Sequence, residues 1–546
     1  MNQYRRLIDR FKNRRPLLNI ILDGYGIGKK DFTDGIFLSQ KPFLDSLFSN
    51  RPLTKLFTHG TYVGLPNDKD MGGSEVGHLT LGAGQVIEQG SSVIRKMLKD
   101  GSFFLQPALV EALLRGKETA LHLLGLLSDG NVHSHIDHFF AVMEEANRVG
   151  VKKCYLHVLL DGRDTPIQSA LDYVEKIETL CQKIKNQNPN RDYRIVSGGG
   201  RETITMDRDQ NWAKVKWGYD THVKGLSGND FPSVQEAVLS QRSKKPGMID
   251  QDLLPFNIYD EEKKKVTIQS GDSVVMMNFR ADRAIEITRA LVEPGFSFFP
   301  ISSRPEVYFS GLMIYDEDTQ TPKNVIVRGA KVENPFGKRI LSLGLRQFRL
   351  AETQKFPHVT FFYNGGYRNP LDPKMEDYFL IPSDRVASFA EKPAMKAKEI
   401  ADKAISLLDS NLYDYGLINF ANPDMVGHTG DIEAVKLAIA AVDKALERVL
   451  KKVEEKKGLA IITADHGNAD EMLILNPKTQ QYEPSTKHSL NLVPFTLFDP
   501  LYEKDAYQFL QQTPEKPLTL ANVAATNFIV MGRPVPDDLN ASLFDV

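Results

Sequence analysis

The sequence predicts an α/β protein of two domains, the second inserted into the first. Three observations carry this prediction. Short apolar runs stop at a polar residue and give way to helical periodicity, as Leu17–Leu22 does at Asp23-Gly24. Residues able to hold metals fall in two clusters, with Asp23 and Ser74 near the start and Asp424, His428, Asp465, His466 and His488 near the end. Between those clusters the strand-and-helix logic repeats, now with arginines at the strand ends. If the two metal-capable clusters form one site, the chain must leave its first domain, build another and return.

Length agrees, because 546 residues exceed one ordinary core. The first domain is expected over 1–88 and 330–546 and the insert over 89–329, with crossings near Gln85–Ser92 and Asp316–Gly329, where the pattern lapses. In the first domain Gly416–Phe420 leads to Asp424 and His428, and Leu459–Thr463 stops before Asp465-His466-Gly467-Asn468. Between them Ile432, Val435, Ile439, Val442, Leu446 and Val449 recur at helical spacing. Alternating strands and helices imply a parallel sheet covered on both faces, with ligands beyond the carboxyl ends of the strands.

The insert follows the same order. Leu121–Leu127 precedes Ser128-Asp129 and then His133, His135 and His138. Tyr155–Leu160 ends in Asp161-Gly162-Arg163-Asp164, followed by the helix-start signal Thr165-Pro166. Arg194–Val196 ends in a glycine run and Arg201, and Ser273–Phe279 ends in Arg280-Ala281-Asp282-Arg283. The stretches Ser227–Lys265 and Asn476–Lys487 read as loops or surface decoration.

Composition excludes several classes. The residues are 41% hydrophobic and 25% charged with a net charge of -2, which argues against a nucleic-acid partner. No apolar run approaches the ~20 residues of a membrane span. The basic N-terminal segment reads as a lead-in to the first strand, with a mitochondrial presequence as the alternative. Two cysteines, Cys154 and Cys181, fit buried thiols in a reducing cytosol and a cytoplasmic location.

Aspartate and histidine suit manganese, zinc or related divalent ions. Asp424 and His428 are spaced to share one helical face, although a loop could also converge them. Asp465 and His466 could share a face on the turn that Gly467-Asn468 supplies. Ser74 follows Met71-Gly72-Gly73, which reads either as a glycine turn with a serine N-cap or as a nucleophile at a helix start. Backbone amides at a helix start favour an incoming phosphate, and a metal ion can make a serine hydroxyl nucleophilic. Arg163, Arg201, Arg208, Arg280 and Arg283 lie beyond successive strands and read together as an anion pocket.

The fragments Leu22-Asp23-Gly24-Tyr25-Gly26, Gly72-Gly73-Ser74-Glu75-Val76-Gly77-His78, Asp161-Gly162-Arg163-Asp164-Thr165, Met206-Asp207-Arg208-Asp209, Asn278–Arg283, Asn422–Gly430 and Thr463–Asn468 run in order over nearly the whole chain. In them the sequence resembles the cofactor-independent phosphoglycerate mutases; the first domain alone resembles the broader alkaline phosphatase superfamily. The resemblance implies an alkaline-phosphatase-like parallel-sheet domain carrying a substrate-binding α/β insert. It implies two divalent ions, most often manganese, with magnesium, cobalt or zinc as alternatives. Asp424, His428 and His488 would hold one ion, and Asp23, Ser74, Asp465 and His466 the other. Ser74 would be the phosphorylated nucleophile, Asp164 the base toward the substrate hydroxyl with Asp161 beside it, and Lys355 would reach toward the leaving oxygen. Without the resemblance, Lys355 reads as a surface lysine. His133 would contact substrate, and His135 and His138 would support it; the His-x-His spacing offers a third metal site as the alternative.

Arg201 and Arg208 are seven residues apart, one more than in shorter members of that family. The implied reaction interconverts 3- and 2-phosphoglycerate through phosphoserine, on a monomer, with the insert closing over the metals. A metal-dependent phosphatase or phosphodiesterase, a phosphopentomutase and a non-catalytic binding protein are the rival readings.

Overall fold

Met1–Gln89 and Ala330–Val546 form one unit of the fold, and Gly90–Gly329 form the other. The structure is a computed structural model that describes residues 4–207, 210–316, 319–329, 332–476, 479–513 and 515–546. Arg208 lies outside the described residues.

The first unit is built on a seven-stranded sheet. Its strand order is Glu376–Ile381, Gln347–Glu352, Tyr415–Phe420, Leu17–Leu22, Leu459–Thr463, Val493–Phe498 and Leu53–Leu56. Leu17–Leu22 is buried along its whole length, as a central strand covered on both faces must be. It runs parallel to both neighbours, with Leu22 opposite Phe420 and Ile21 opposite Thr463. That register brings Asp23, Asp424 and Asp465 out at the same edge. The expected parallel sheet holds except for Val493–Phe498, which runs antiparallel to both its neighbours, Leu459–Thr463 and Leu53–Leu56.

Helix Ile432–Glu455 covers this sheet with Val435, Ala438, Ile439, Val442, Leu446 and Val449, all but solvent-free. Each of the valine, leucine and isoleucine side chains among them contributes about 1.5–3 kcal/mol relative to exposure. Asp431 caps the helix by accepting from the Ala434 amide at 3.0 Å.

The second unit holds an eight-stranded sheet. Its order is Asn324–Val325, Tyr308–Gly311, Ser273–Met276, Leu121–Leu126, Lys153–Leu160, Asp192–Gly200, Phe256–Ile258 and Asp230–Phe231. All pairings are parallel except that of Asp192–Gly200 with Phe256–Ile258. Ser227–Lys265 is therefore more than the expected loop. It contributes the last two strands of the sheet and helix Val234–Lys244, capped by Ser233 and seated on Val234, Ala237 and Val238. The helix is short and carries Leu239 on its exposed side, so its apolar stripe is weak in sequence. In the first unit, Tyr482–Pro484 of the Asn476–Lys487 stretch pairs with Leu473–Leu475 as an exposed hairpin.

Cys154 lies on strand Lys153–Leu160 and Cys181 on helix Ala170–Gln187, both buried and unpaired. No helix among the described residues is long and apolar enough to cross a membrane.

Candidate active site

The metal-capable residues of the first unit converge where its central strands end. Asp23 follows Leu22 directly, and Gly24 turns the chain at φ 76°. A Cβ on Gly24 would stand 2.7 Å from the Asp424 Cα, so only glycine lets the two strand ends approach. Ser74 is the first residue of helix Ser74–Ala83; Gly73 takes the cap position in extended conformation and no side chain caps the helix. The serine is thus not spent as a cap. Its hydroxyl lies 3.2 Å from Asp23 Oδ1 and 2.9 Å from His466 Nε2.

Among the described residues two groups have the donor atoms for a cation. Asp424, His428 and His488 form one, and Asp23, Asp465 and His466 the other, with each set of ligand atoms inside 4.8 Å. In the first, Asp424 Oδ1 is 3.2 Å from His428 Nε2 and 3.3 Å from His488 Nε2. The two Nε2 atoms are 3.2 Å apart. An ion with nitrogen ligands at about 2.0–2.1 Å in tetrahedral array has ligand–ligand edges of about 3.3 Å, so this triangle fits. The tautomers agree. His428 Nδ1 donates to the Thr486 carbonyl and His488 Nδ1 to that of Gly72, each at 2.7 Å, so both Nε2 lone pairs face inward. Facing lone pairs at that distance repel unless a metal ion stands between them or His428, whose desolvation is overcome by Asp424, carries a proton there.

In the second group His466 Nε2 is 3.5 Å from Asp23 Oδ1 and 3.6 Å from Asp465 Oδ2. Ser74 Oγ completes that set as a fourth oxygen or nitrogen donor. Gly77, one helical turn along, gives Asp465 its room, because a Cβ there would lie 2.8 Å from the Asp465 Cβ.

Lys355 is 3% exposed, not the surface lysine that its local sequence suggests without the resemblance. Its Nζ donates to Asp424 Oδ2 at 2.6 Å and to Ser74 Oγ at 2.6 Å, and pairs with Asp23 Oδ1 at 2.7 Å. The turn after strand Gln347–Glu352 carries it inward, a tertiary fact without local signature.

Electrostatics follow from burial against charge. Burial drives the Asp23 carboxyl up and Asp465 reinforces it, with Lys355 opposing. Burial also works against ionised Asp424, but His428 and Lys355 outweigh it and hold it well below the usual range. Asp465 is likewise held down by His466 and His78 against burial. Lys355 is kept protonated because Asp23 and Asp424 overcome its desolvation. Burial and His466 push His488 down to about 4, which keeps it neutral as a ligand must be.

Several supporting residues escape a sequence reading. Asn419 donates to Asp23 Oδ2 at 2.7 Å, and Asn468 donates to Asp424 Oδ1 at 2.9 Å. His78, buried on the Ser74 helix, sets Nδ1 3.3 Å from Asp465 Oδ2. Asp470 Oδ2 accepts from Ser489 Oγ and Asn491 Nδ2, each at 2.7 Å, and Ser489 N donates to the Gly467 carbonyl at 2.9 Å. Those bonds fasten the loop carrying His488 to the turn carrying His466.

The second unit gathers the other candidates. Arg201, 1% exposed, donates through Nη1 to Asp161 Oδ1 at 2.7 Å and Asp164 Oδ2 at 2.5 Å. Burial would raise Asp164, but Arg201 and His133 hold it below its ordinary value. His133 Nδ1 lies 3.4 Å from Asp282 Oδ1, and burial takes its imidazole down to about 4 although Asp282 opposes. Arg280 pairs with Asp282 at 3.2 Å. Arg163 and Arg283 both reach Glu202, at 3.3 and 3.1 Å. The arginines therefore stand among carboxylates, and Glu202 and Asp282 are partners that the sequence reading missed. His135 caps helix Ile136–Val149 and His138 is buried within it. Among the described residues no metal-capable group includes either.

The profile of the metalloenzyme superfamily matches residues 15–533. A curated relative from Leptospira interrogans, named a probable 2,3-bisphosphoglycerate-independent phosphoglycerate mutase, is 42% identical over 545 residues, covering 98% of each chain. A 2,3-bisphosphoglycerate-independent phosphoglycerate mutase from Trypanosoma brucei brucei is 38% identical over 549 residues, again covering 98% of each. Among solved structures, Leishmania mexicana phosphoglycerate mutase at low cobalt concentration superposes with a TM-score of 0.90 at 38% identity, covering 98% of both chains.

Proposed function

We propose, from the premise that the chain belongs to the 2,3-bisphosphoglycerate-independent phosphoglycerate mutase family of the metalloenzyme superfamily, that it interconverts 3-phosphoglycerate and 2-phosphoglycerate. It is then an isomerase acting by intramolecular phosphoryl transfer, without a bisphosphate cofactor. The observation that carries this reading beyond family membership is Ser74. Its hydroxyl sits at a helix start, within hydrogen-bonding distance of Lys355, Asp23 and His466.

We assign one divalent ion to Asp424, His428 and His488 and a second to Asp23, Ser74, Asp465 and His466, with manganese as the preferred metal. When bound, such ions lower the pKa of a hydroxyl and neutralise phosphoryl oxygens. Ser74 Oγ forms a bond to phosphorus as the substrate's C–O–P link breaks on the oxygen side of phosphorus, giving phosphoserine and glycerate. The amides that open the Ser74 helix and the Lys355 ammonium stabilise the transferring group's charge. The leaving oxygen of glycerate takes the proton that Ser74 loses on attack, relayed by the Lys355 ammonium on the serine hydroxyl. In the return step Asp164, kept ionised by Arg201, takes the proton of glycerate's other hydroxyl as that oxygen accepts the phosphoryl group. That proton goes back to Ser74 as phosphoserine is discharged, so the cycle is proton-neutral.

The carboxylate and the free hydroxyl of glycerate fall to Arg163, Arg201, Arg208, Arg280, Arg283, His133 and Asp161. Arginine's planar fork suits the carboxylate. Both residue sets belong to one chain, which supports action as a monomer. A cytoplasmic location goes with two buried thiols and a glycolytic substrate.

The test is an assay of the purified, manganese-loaded protein on 3-phosphoglycerate without added bisphosphoglycerate, following 2-phosphoglycerate and free phosphate together. Formation of 2-phosphoglycerate with little phosphate release is expected. Stoichiometric phosphate release would make the protein a phosphatase, and strict dependence on bisphosphoglycerate would overturn the mechanism.

A further inference from the structure

A row of buried polar side chains crosses the sheet of the second unit. Asp272, just ahead of strand Ser273–Met276, has Oδ2 3.1 Å from His122 Nε2. His122 Nδ1 is 2.9 Å from His157 Nε2, and His157 Nδ1 is 2.6 Å from Ser197 Oγ. Ser197 Oγ is 2.8 Å from His222 Nδ1, and His222 Nε2 is 3.0 Å from Thr205 Oγ1. The strands that supply the first four members lie side by side in that order. Helix Trp212–Lys224 supplies His222 at the end of the row. His122, His157, Ser197 and Thr205 are wholly buried, and His222 nearly so.

Hydrogen-bond polarity fixes the protons. A carboxylate oxygen only accepts, so His122 Nε2 donates to Asp272, and in the neutral imidazole Nδ1 is then bare. His157 must then donate through Nε2, which leaves its Nδ1 to accept from the Ser197 hydroxyl. Ser197 Oγ accepts from His222 Nδ1, and His222 Nε2 accepts from the Thr205 hydroxyl. The row is one-way, with each donor matched to one acceptor. Burial disfavours the charged form of two of its members: His157 is pushed well below its ordinary value and His222 down to about 3.

The far end of the row meets the arginine pocket. Thr205 has φ 67°, a left-handed conformation that β-branched residues rarely adopt. Gly218 lies four residues before His222 on the same helix, and a Cβ there would collide with Thr205 Oγ1. One helical face thus provides both the recess for the turn and the imidazole that holds it. One residue on, the Met206 carbonyl accepts from Arg283 Nη1 at 2.8 Å.

We propose that His222 is a positioning residue for the anion-binding arginines: as the last acceptor in a one-way row fixed by Asp272, it holds Thr205 in its left-handed turn and so holds the Met206 carbonyl on Arg283. This rests on the reading of Arg283 as a substrate-holding residue. No proton is transferred along the row; its work is to fix one tautomer and one backbone turn.

The experiment uses the full-length, manganese-loaded protein. With ¹⁵N-labelled histidine, the His222 signal (identified by its loss in His222→Gln) should show Nε2 bare and Nδ1 protonated. In Asp272→Ala, which removes the acceptor of His122 Nε2, that tautomer preference should be lost. A protonated Nε2 in the parent, or an unchanged tautomer in Asp272→Ala, overturns the row. Thr205→Val, which removes only the hydroxyl donor, should raise the KM for 3-phosphoglycerate about tenfold and change kcat far less, and Thr205→Ser should restore it to within about twofold. Amide exchange over 204–207 should quicken in Thr205→Val and not in Thr205→Ser. Equal exchange and equal KM in both would overturn the positioning role. If the parent shows no interconversion at all, the mutase reading fails by itself, while the exchange and ¹⁵N results still decide the role of His222.

Discussion

Replacing Lys355 with methionine should destabilise the chelated protein far more than the manganese-loaded one. The side chain is buried, and its Nζ stands 2.7 Å from Asp23 Oδ1 and 2.6 Å from Asp424 Oδ2. At an effective dielectric of about 20, each such contact is worth about 6 kcal/mol before desolvation. Burying the ammonium offsets much of that, and deleting one partner of a buried ion pair costs about 3–5 kcal/mol. The surviving carboxylates would then face one another without their lysine. Asp23, already driven up by burial and by Asp465, is the one expected to take a proton. The unit carrying these residues has roughly 300 of them, and a melting entropy of about 2.1 cal/mol/K per residue gives about 0.6 kcal/mol/K. The chelated variant should therefore melt about 5–8 °C below the parent by scanning calorimetry. Divalent ions supply positive charge to the same carboxylates, so the difference should shrink once manganese is bound. An equal loss in both states, or a loss below about 1 kcal/mol on chelation, would refute the reasoning.

Four further outcomes are expected. Ser74→Ala should abolish phosphoryl transfer while circular dichroism and bound-metal analysis stay near the parent; full mutase activity would remove Ser74 as nucleophile. Arg280→Ala should raise the KM for 3-phosphoglycerate and leave metal content unchanged, and loss of metal would contradict its place in the second unit. Asp470→Ala removes the acceptor of Ser489 and Asn491 and should loosen the His488 loop, lowering metal affinity about 10–100-fold in a chelator competition. Glu352, raised to about 7 by burial although Ser383 opposes, holds a proton that the unfolded chain releases near its ordinary 4.5. Its contribution to stability is thus complete below that lower value and declines as pH rises through about 7, by about 3 kcal/mol in all. Glu352→Gln should flatten the pH dependence of Tm across this window, and an unchanged slope would count against the assignment.

Much of the fold class is written locally. The runs Leu17–Leu22 and Leu459–Thr463 are strands with those same bounds, since an all-apolar stretch ending in a polar turn has few other stable uses. The helix from Ile432 is equally legible, because its stripe of Val435, Ile439, Val442 and Leu446 leaves only one face to bury. Helix Val234–Lys244 and its flanking strands are not, since an edge segment buries too few side chains to leave a period.

The candidate ligands divide along the same line. Asp23, Asp424 and Asp465 each stand just past an apolar run, so sequence alone selects their types and their level in the sheet. It cannot select their partners. Strand order places Leu17–Leu22 between Tyr415–Phe420 and Leu459–Thr463, and that long-range pairing sets three distant carboxylates side by side. The inward Lys355, the Asp470 clamp on the His488 loop and the row from Asp272 to Thr205 belong wholly to tertiary structure. Each depends on desolvation, and desolvation is a property of what surrounds a residue, which its neighbours in sequence do not record.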